Sequence, residues 1–165
     1  MRRFSQRPSL DLVLIRQATL DDLPAIRNLE KQADTAAHWE KREYDALFAP
    51  EAPRRIALVA TEEATPDRVQ GFVIARCASE DWEIENVVVA AERRRSGVAS
   101  RLIRELLQMA HRQAATSVLL EVRESNLAAR QLYERLGFSA IARRAGYYRE
   151  PSEDGLVLRI SIAVP

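Results

Sequence analysis

The segment from Val87 to Leu102, VVVAAERRRSGVASRL, constrains the fold of this chain more than any other. It opens with three consecutive valines, a β-branched run that favours a buried strand. Three arginines and Ser96–Gly97 follow, a composition typical of a turn. Beyond Gly97 the apolar side chains recur at helical spacing. The segment therefore predicts a strand, a basic turn and a helix over about 97–113, roughly 25 Å long.

The start of that helix is suited to binding an anion. The first N–H groups of a helix have no intrahelical partner, and the helix dipole favours negative charge there. Gly97 lets a ligand approach the backbone closely because it has no side chain. These features predict a site for a phosphate-bearing ligand, with an exposed glycine turn as the alternative. Neither the P-loop pattern nor the Gly-x-Gly-x-x-Gly dinucleotide fingerprint occurs in the sequence.

Composition narrows the class of protein. The chain has 165 residues, 47% of them hydrophobic and 30% charged, as in a single globular domain. The net charge of +1 gives no basic field that would favour nucleic acid. Cys77 is the only cysteine, and neither His38 nor His111 lies in a metal-binding pattern. We therefore expect no metal site. Because no apolar run reaches membrane-spanning length, we expect a cytoplasmic protein without a membrane segment.

Apolar periodicity and turn residues predict an order of elements that is typical of one mixed-sheet α/β domain. We expect residues 1–10 to form a flexible arm and 11–165 to form the domain. Residues 146–155 are predicted as a long hairpin loop. Strands are predicted at 12–18, 55–61, 69–77, 82–90, 117–123, 138–144 and 156–163, and helices at 19–33, 40–48, 97–113 and 126–136.

Three motifs together resemble one family. They are Arg94-x-x-Gly97-x-Ala99, LEVRESNLAA at 120–129 and LYERLGF at 132–138. The chain resembles the GNAT acyltransferases, which use acetyl-coenzyme A, and in particular the RimI-type ribosomal-protein alanine N-acetyltransferases. Arg143–Arg144 ahead of Tyr147–Tyr148 fits that subgroup, and the resemblance covers roughly 12–162. Ala99 stands where the family often has a second glycine, and Ala90–Ala91 replaces the usual Asp-Pro.

The resemblance implies a fold and a cofactor site. The fold would be a mixed, mostly antiparallel twisted sheet of about seven strands flanked by four helices, with a splay between the fourth and fifth strands. Backbone amides of the basic turn would bind the pyrophosphate of coenzyme A, and the preceding strand would hold the pantetheine arm. The implied cofactor residues are Val87, Val88, Val89, Arg94, Arg95, Ser96, Gly97, Val98, Ala99, Ser100 and Asn126.

Glu121 is the candidate general base. An attacking amine must lose a proton, and an α-amine with a pKa of ~7.7–8.0 is mostly charged at neutral pH. Glu121 lies in an apolar run that is typical of a strand buried on both faces, where an unpaired carboxylate is costly. The alternatives are a structural carboxylate paired with an arginine such as Arg123 or Arg130, a water relay, or Glu83 or Glu85 as the carboxylate.

Tyr133 is the candidate general acid for the departing thiolate, and a purely packing role is its alternative. The resemblance implies that the backbone N–H of Val89 polarises the thioester carbonyl. Two segments, at 34–47 with His38 and 144–154 with Glu150, are predicted to bind the acceptor through Trp39, Tyr44, Tyr147 and Tyr148. For Trp39 a core position between helices is an equal alternative.

The resemblance implies that the acceptor is a primary amine. A protein N-terminus, with a ribosomal protein as one candidate, is favoured over a small-molecule amine and over a non-catalytic acyl-coenzyme A module. The sequence leaves open whether the protein is a monomer or a homodimer.

Overall fold

The computed structural model describes residues 13–34, 36–52 and 54–163. The predicted arm at 1–10 and the first residue of the first predicted strand lie outside these ranges. The described residues form a seven-stranded sheet in the order β1-β2-β3-β4-β5-β7-β6 with four α-helices. The strands are β1 (Val13–Gln17), β2 (Arg55–Glu62), β3 (Gly71–Ala78), β4 (Asp81–Val89), β5 (Ser117–Arg123), β6 (Ser139–Arg149) and β7 (Ser152–Ser161), and the helices are α1 (Leu23–Lys31), α2 (Lys41–Ala46), α3 (Val98–Arg112) and α4 (Leu127–Arg135).

The sheet is mixed and mostly antiparallel, as predicted. Strands β1 to β4 pair antiparallel with their neighbours, β4 pairs parallel with β5, and β5, β7 and β6 pair antiparallel. Helix α3 connects β4 to β5, which is the long crossover that a parallel pair requires. The basic turn therefore lies at the end of β4, where the chain leaves the sheet.

Helices cover both faces of the sheet. On one face α3 buries the predicted stripe of Val98, Leu102, Leu106 and Ala110, and Ile103 is buried beside it. On the other face α1 and α2 pack with the sheet in a second apolar cluster, which includes Ile26, Leu29, Ala33, Tyr44 and Leu47. The spacing of three and four residues in the sequence thus correctly indicates which side of these helices is buried.

The sheet splays between β4 and β5, as predicted. Their parallel register runs from Asp81 opposite Ser117 only to Ile84 opposite Leu120. At the same point the register between β3 and β4 shifts, so that Glu85 is an extra residue between two consecutive pairs. Such a bulge bends the strand that contains it. The bulge therefore coincides with the place where the end of β4 parts from β5 and leaves a cleft.

The predicted hairpin loop at 146–155 is wrong. Strands β6 and β7 continue through most of this segment and are joined by a turn at Glu150–Pro151. The ladder shifts register between Ala140 and Ala142 and is interrupted again between Arg144 and Tyr148, where Gly146 has a left-handed φ of 59° and donates its N–H to Asp154 Oδ1 at 2.8 Å. Glycine and acidic residues favour loops by composition, but here they build an irregularity within a strand pair.

Candidate active site

A cavity of about 620 Å³ opens where β4 and β5 part. Residues from both splayed strands line it, together with the start of α3, one face of α4, the irregular part of β6 and the segment after α1. It brings together, among others, Val87, Val89, Ala99, Glu121, Asn126, Tyr133, Tyr147 and Tyr148 from the sequence-predicted sites. Strand β4 alternates here, so Val88 packs on the opposite face with α1 and α2.

The basic turn presents the start of α3 beside this cavity. Gly97 precedes the helix with φ 87° and ψ 2°, a left-handed conformation that favours glycine. Arg101 donates its N–H to the Gly97 carbonyl at 3.0 Å. By helix geometry, the N–H groups ahead of Arg101 lack an intrahelical acceptor. Because Ala99 lines the cavity, these donors lie at its rim.

Arg93 holds the turn against the sheet, and sequence reasoning missed it. Its side chain is buried, Nε donates to Gln70 Oε1 at 2.6 Å, and the guanidinium forms an ion pair with Glu62. Ser96 Oγ donates to the Arg93 carbonyl at 2.5 Å. In the sequence Arg93 cannot be told from the two arginines after it, because only the 3-10 turn Ala91–Arg93 directs it inward.

Glu121 faces the cavity with its side chain 19% exposed. The prediction of a strand buried on both faces is wrong at this point, because Leu120 and Val122 are buried while Glu121 and Arg123 are half-buried. The splay leaves that face of β5 open to the cavity. A carboxylate is therefore accommodated there without complete loss of solvent.

The partner of Glu121 is Arg144 on β6, whose Nη1 lies 2.8 Å from Oε1. Neither of the suggested arginines fills this role. Arg123 instead pairs with Glu153 at 3.0 Å, and Arg130 donates to the Glu124 carbonyl at 2.9 Å. Sequence reasoning missed Arg144 because the pairing depends on how β6 and β7 return to β5.

Tyr147 also contacts Glu121. The hydrogen bond between its phenol and the Glu121 carboxylate, followed by desolvation, raises the pKa of Tyr147 to about 12. The Arg144 guanidinium carbon lies 5.2 Å from the centroid of the same ring. Glu121, Arg144 and Tyr147 therefore form one contact group at the cavity wall.

Tyr133 both packs and faces the cavity. Its ring lies edge-on to Phe138 with the centroids 5.7 Å apart, and its side chain lines the cavity. Burial, with a smaller effect of Tyr148, raises the pKa of Tyr133 to about 12. The phenol therefore keeps its proton at neutral pH and is a weaker acid than an exposed tyrosine.

The apolar stripe of α4 is less buried than its spacing predicts. Tyr133 is buried, whereas Ala129, Leu132 and Leu136 are half-buried. Ala129 and Leu132 face the cavity rather than the packed core. Asn126 caps the helix, because its Oδ1 accepts the Ala129 N–H at 3.1 Å, and it lines the cavity as well.

The alternative carboxylates on β4 also line the cavity, and arginines bind both of them. Glu83 forms an ion pair with Arg76. Glu85 receives two hydrogen bonds from Arg55, of 2.6 and 3.0 Å, one at each oxygen. Arg55 thus binds both oxygens of Glu85, whereas Arg144 contacts Glu121 through one nitrogen.

Two predicted acceptor residues lie behind the cavity rather than on its described wall. Tyr44 is buried in the core, where burial raises the pKa of its phenol, and Trp39 packs against it with ring centroids 5.4 Å apart. The Arg55 guanidinium carbon lies 5.2 Å from the Trp39 ring centroid. Both residues support this wall instead of forming its surface.

The wall itself is the segment 36–38, which lies within the predicted acceptor segment 34–47. The Trp39 N–H donates to Glu30 Oε1 at 2.9 Å, which fixes the end of this segment to α1. His38 has a left-handed φ of 51°. Within 13–34, 36–52 and 54–163, no group of His, Cys, Asp and Glu side chains forms a metal site, and no helix is long and apolar enough to span a membrane.

Comparison with known proteins identifies the family of the chain. A family model described as "Acetyltransferase (GNAT) family" matches residues 21–138. The [ribosomal protein bS18]-alanine N-acetyltransferase of Salmonella typhimurium is 29% identical over 145 residues, which cover 87% of this chain and 93% of that protein. The corresponding protein of Escherichia coli K12 is 28% identical over 144 residues, 87% of this chain and 91% of that one.

Solved structures show the same fold. The ribosomal-protein-S18-alanine N-acetyltransferase from Escherichia coli superimposes with a TM-score of 0.80 at 24% identity, covering 93% of this chain and 96% of the other. Arabidopsis thaliana NAA60 in complex with acetyl-CoA gives a TM-score of 0.79 at 18% identity, with 91% and 98% of the two chains covered.

Proposed function

Because the chain belongs to the acetyltransferase (GNAT) family and is therefore an acetyl-CoA-dependent N-acetyltransferase, we propose that its acceptor is the N-terminal α-amine of a protein. The observation that carries this proposal is the cavity at the splay, where one carboxylate, one protonated phenol and the start of α3 meet. The acceptor that the relatives' names give, ribosomal protein bS18, is the first candidate to test, and it would place the activity in the cytoplasm.

The basic turn binds the pyrophosphate of the cofactor in this proposal. Backbone N–H groups of 94–100 supply hydrogen-bond donors and the α3 dipole favours the negative charge. The parted edge of β4 at Val87–Val89 holds the pantetheine arm, with Val89 N–H directed at the thioester carbonyl. When bound, acetyl-CoA supplies an acetyl group activated as a thioester.

Glu121 acts as the general base. It accepts the proton that the acceptor nitrogen loses as the amide bond forms. Its position in the cavity, on the strand that parts from β4, supports this role. One oxygen is bound to Arg144 Nη1, and the phenol of Tyr147 donates a second hydrogen bond to the carboxylate.

Tyr133 acts as the general acid. Its phenol donates a proton to the departing thiolate, whose conjugate acid has a pKa of about 8.5. Because burial keeps the pKa of Tyr133 at about 12, the donor is fully protonated across the working pH range. Proton transfer from the phenol to the thiolate is unfavourable in free energy, because the phenol has the higher pKa. It depends on close placement of the two groups in the cavity.

The acceptor enters between the segment 36–38 and the irregular part of β6. Tyr147 and Tyr148 form one wall, with ring centroids 5.0 Å apart and planes nearly perpendicular. The Arg123 guanidinium carbon, 4.1 Å from the Tyr148 ring centroid, holds that ring in place. Two supported aromatic faces suit an extended peptide better than a small amine.

The test is a coenzyme A release assay with acetyl-CoA and a matched panel of acceptors. The panel contains short peptides with free N-termini, the same peptides with blocked N-termini, polyamines and aminoglycosides. Release that requires a free peptide N-terminus supports the proposal. Turnover of polyamines or aminoglycosides without any peptide turnover contradicts it, and tight acetyl-CoA binding without any turnover indicates a non-catalytic module.

A further inference from the structure

The base in this site is bound to a cation that comes from the acceptor side of the cleft. Arg144 Nη1 lies 2.8 Å from Glu121 Oε1, and its guanidinium carbon lies 5.2 Å from the Tyr147 ring centroid. Glu121 is largely buried, whereas Arg144 is 55% exposed. The guanidinium therefore lies on the solvent side of the carboxylate. An acceptor must approach the carboxylate from this side.

The irregularity in β6 makes this contact possible. In a regular strand, side chains three positions apart point to opposite faces. Between Arg144 and Tyr148 the ladder is interrupted, and Asp154 Oδ1 fixes the interruption by accepting the Gly146 N–H at 2.8 Å. As a result both Arg144 and Tyr147 reach Glu121.

The remaining carboxylates of the cavity are also paired. Glu83 is bound by Arg76 and Glu85 by Arg55, so each of the three glutamates in the described lining has an arginine partner. An incoming ammonium therefore meets no unpaired glutamate in that lining, and next to the base it meets a guanidinium. A neutral amine is not repelled and can donate an N–H to the carboxylate.

We propose that Arg144, held on Glu121, makes the acceptor site select neutral amines over ammonium groups, and thereby α-amines over lysine side chains. This inference rests on the proposed function and names a specificity-determining residue for it.

The selection follows from ordinary amine chemistry. At pH 7 roughly one α-amine in ten is neutral, against roughly one lysine ε-amine in a few thousand. A site that admits only the neutral form thus favours α-amines at neutral pH. A site with an uncompensated carboxylate would bind the ammonium form of both and lose much of this preference.

The test compares two acceptors in wild type and in Arg144→Gln. One peptide has a free N-terminus and no lysine, and the other has a blocked N-terminus and one lysine. The expected result is that the ratio of kcat/KM for the α-amine to that for the ε-amine falls about fivefold in Arg144→Gln, the change that an ion pair of about 1 kcal/mol gives. The change should appear as a lower KM for the lysine peptide.

Two further variants distinguish this role from a structural one. Arg144→Lys keeps the positive charge and should restore the wild-type ratio. Arg159→Gln removes an exposed arginine of β7, which pairs with Asp81 and not with Glu121, and should leave the ratio unchanged. Binding of acetyl-CoA should be the same in all four proteins.

A measurement on wild type alone keeps the inference testable if Arg144→Gln does not fold. Among peptides of similar shape whose N-terminal amines differ in pKa, kcat/KM at pH 7 should rise as the amine pKa falls. A ratio unchanged in Arg144→Gln, no restoration by Arg144→Lys, or no dependence on amine pKa overturns the inference while peptide acetylation stands. A wild-type enzyme that acetylates no amine overturns both.

Discussion

The Nδ2 atom of Asn86 donates a 2.9 Å hydrogen bond to Oε1 of Glu30, and both side chains are buried. Asn86 follows directly after the bulge in β4, and Glu30 is near the end of α1. The same carboxylate oxygen accepts the Trp39 N–H. This pair therefore joins the splayed strand to the segment that forms one wall of the acceptor entrance.

Substitution of Asn86 by Ala should lower the free energy of unfolding by about 1.5–3 kcal/mol. The reason is that a buried carboxylate loses a hydrogen bond that water does not replace. Urea unfolding measures the change. Asn28→Ala, an exposed asparagine on the same helix as Glu30, is the control and should stay within about 0.5 kcal/mol of wild type. Equal effects of the two substitutions would show that the Glu30–Asn86 pair is not structural.

Substitution of Arg93 by Ala should weaken acetyl-CoA binding about five- to tenfold, because the turn is no longer attached to Gln70 and Glu62. This change corresponds to a loss of about 1 kcal/mol of binding free energy. Equilibrium binding of acetyl-CoA measures this. Arg104→Ala, an exposed arginine on α3, is the control for loss of positive charge. If both variants bind acetyl-CoA as wild type does, Arg93 does not position the turn.

Helix faces and the order of helices and strands along the chain were predictable because each depends on a local repeat. The stripe at Val98, Leu102, Leu106 and Ala110 needs only the period of the helix. The glycine turn at Gly97 ahead of α3 was similarly predictable, because it depends on residues adjacent in sequence. The prediction of a long loop at 146–155 was wrong, because a loop and an interrupted strand are both rich in glycine and acidic residues.

Side-chain partners were the part that the sequence did not predict. Arg144 reaches Glu121 from the edge strand, and Arg93 reaches Gln70 across the end of the sheet. Nothing in sequence spacing distinguishes either arginine from its neighbours. The same limit explains Tyr44, whose aromatic ring suggested a substrate contact and lies in the core.

Substitution of Glu121 by Gln should lower kcat about 10²- to 10⁴-fold while leaving acetyl-CoA binding unchanged, because the variant keeps the shape of the side chain and loses its basicity. Steady-state kinetics and equilibrium binding measure the two effects. Glu124→Gln, an exposed neighbour that pairs with Arg143, is the matched control and should keep wild-type kcat. A Glu121→Gln enzyme with wild-type kcat would place the base elsewhere.

Tyr133 should make the protein less stable at alkaline pH. Its pKa is about 12 in the folded state against about 10 when unfolded, so between these values the unfolded chain loses the proton first. The stabilisation is complete below pH 10 and declines as pH rises toward 12, by about 2–3 kcal/mol in total. Urea unfolding at several pH values should show a smaller decline for Tyr133→Phe. Parallel curves for the two proteins would contradict the burial of an un-ionised phenol at this site.

The most direct test is the position of the acetyl group in the product. The wild-type protein is incubated with acetyl-CoA and an alanine-starting peptide that also contains a lysine, and tandem mass spectrometry locates the modification. The account predicts acetylation of the terminal α-nitrogen, with the lysine side chain left free. Acetylation of the lysine alone, or no peptide product beside turnover of a small amine, would contradict it.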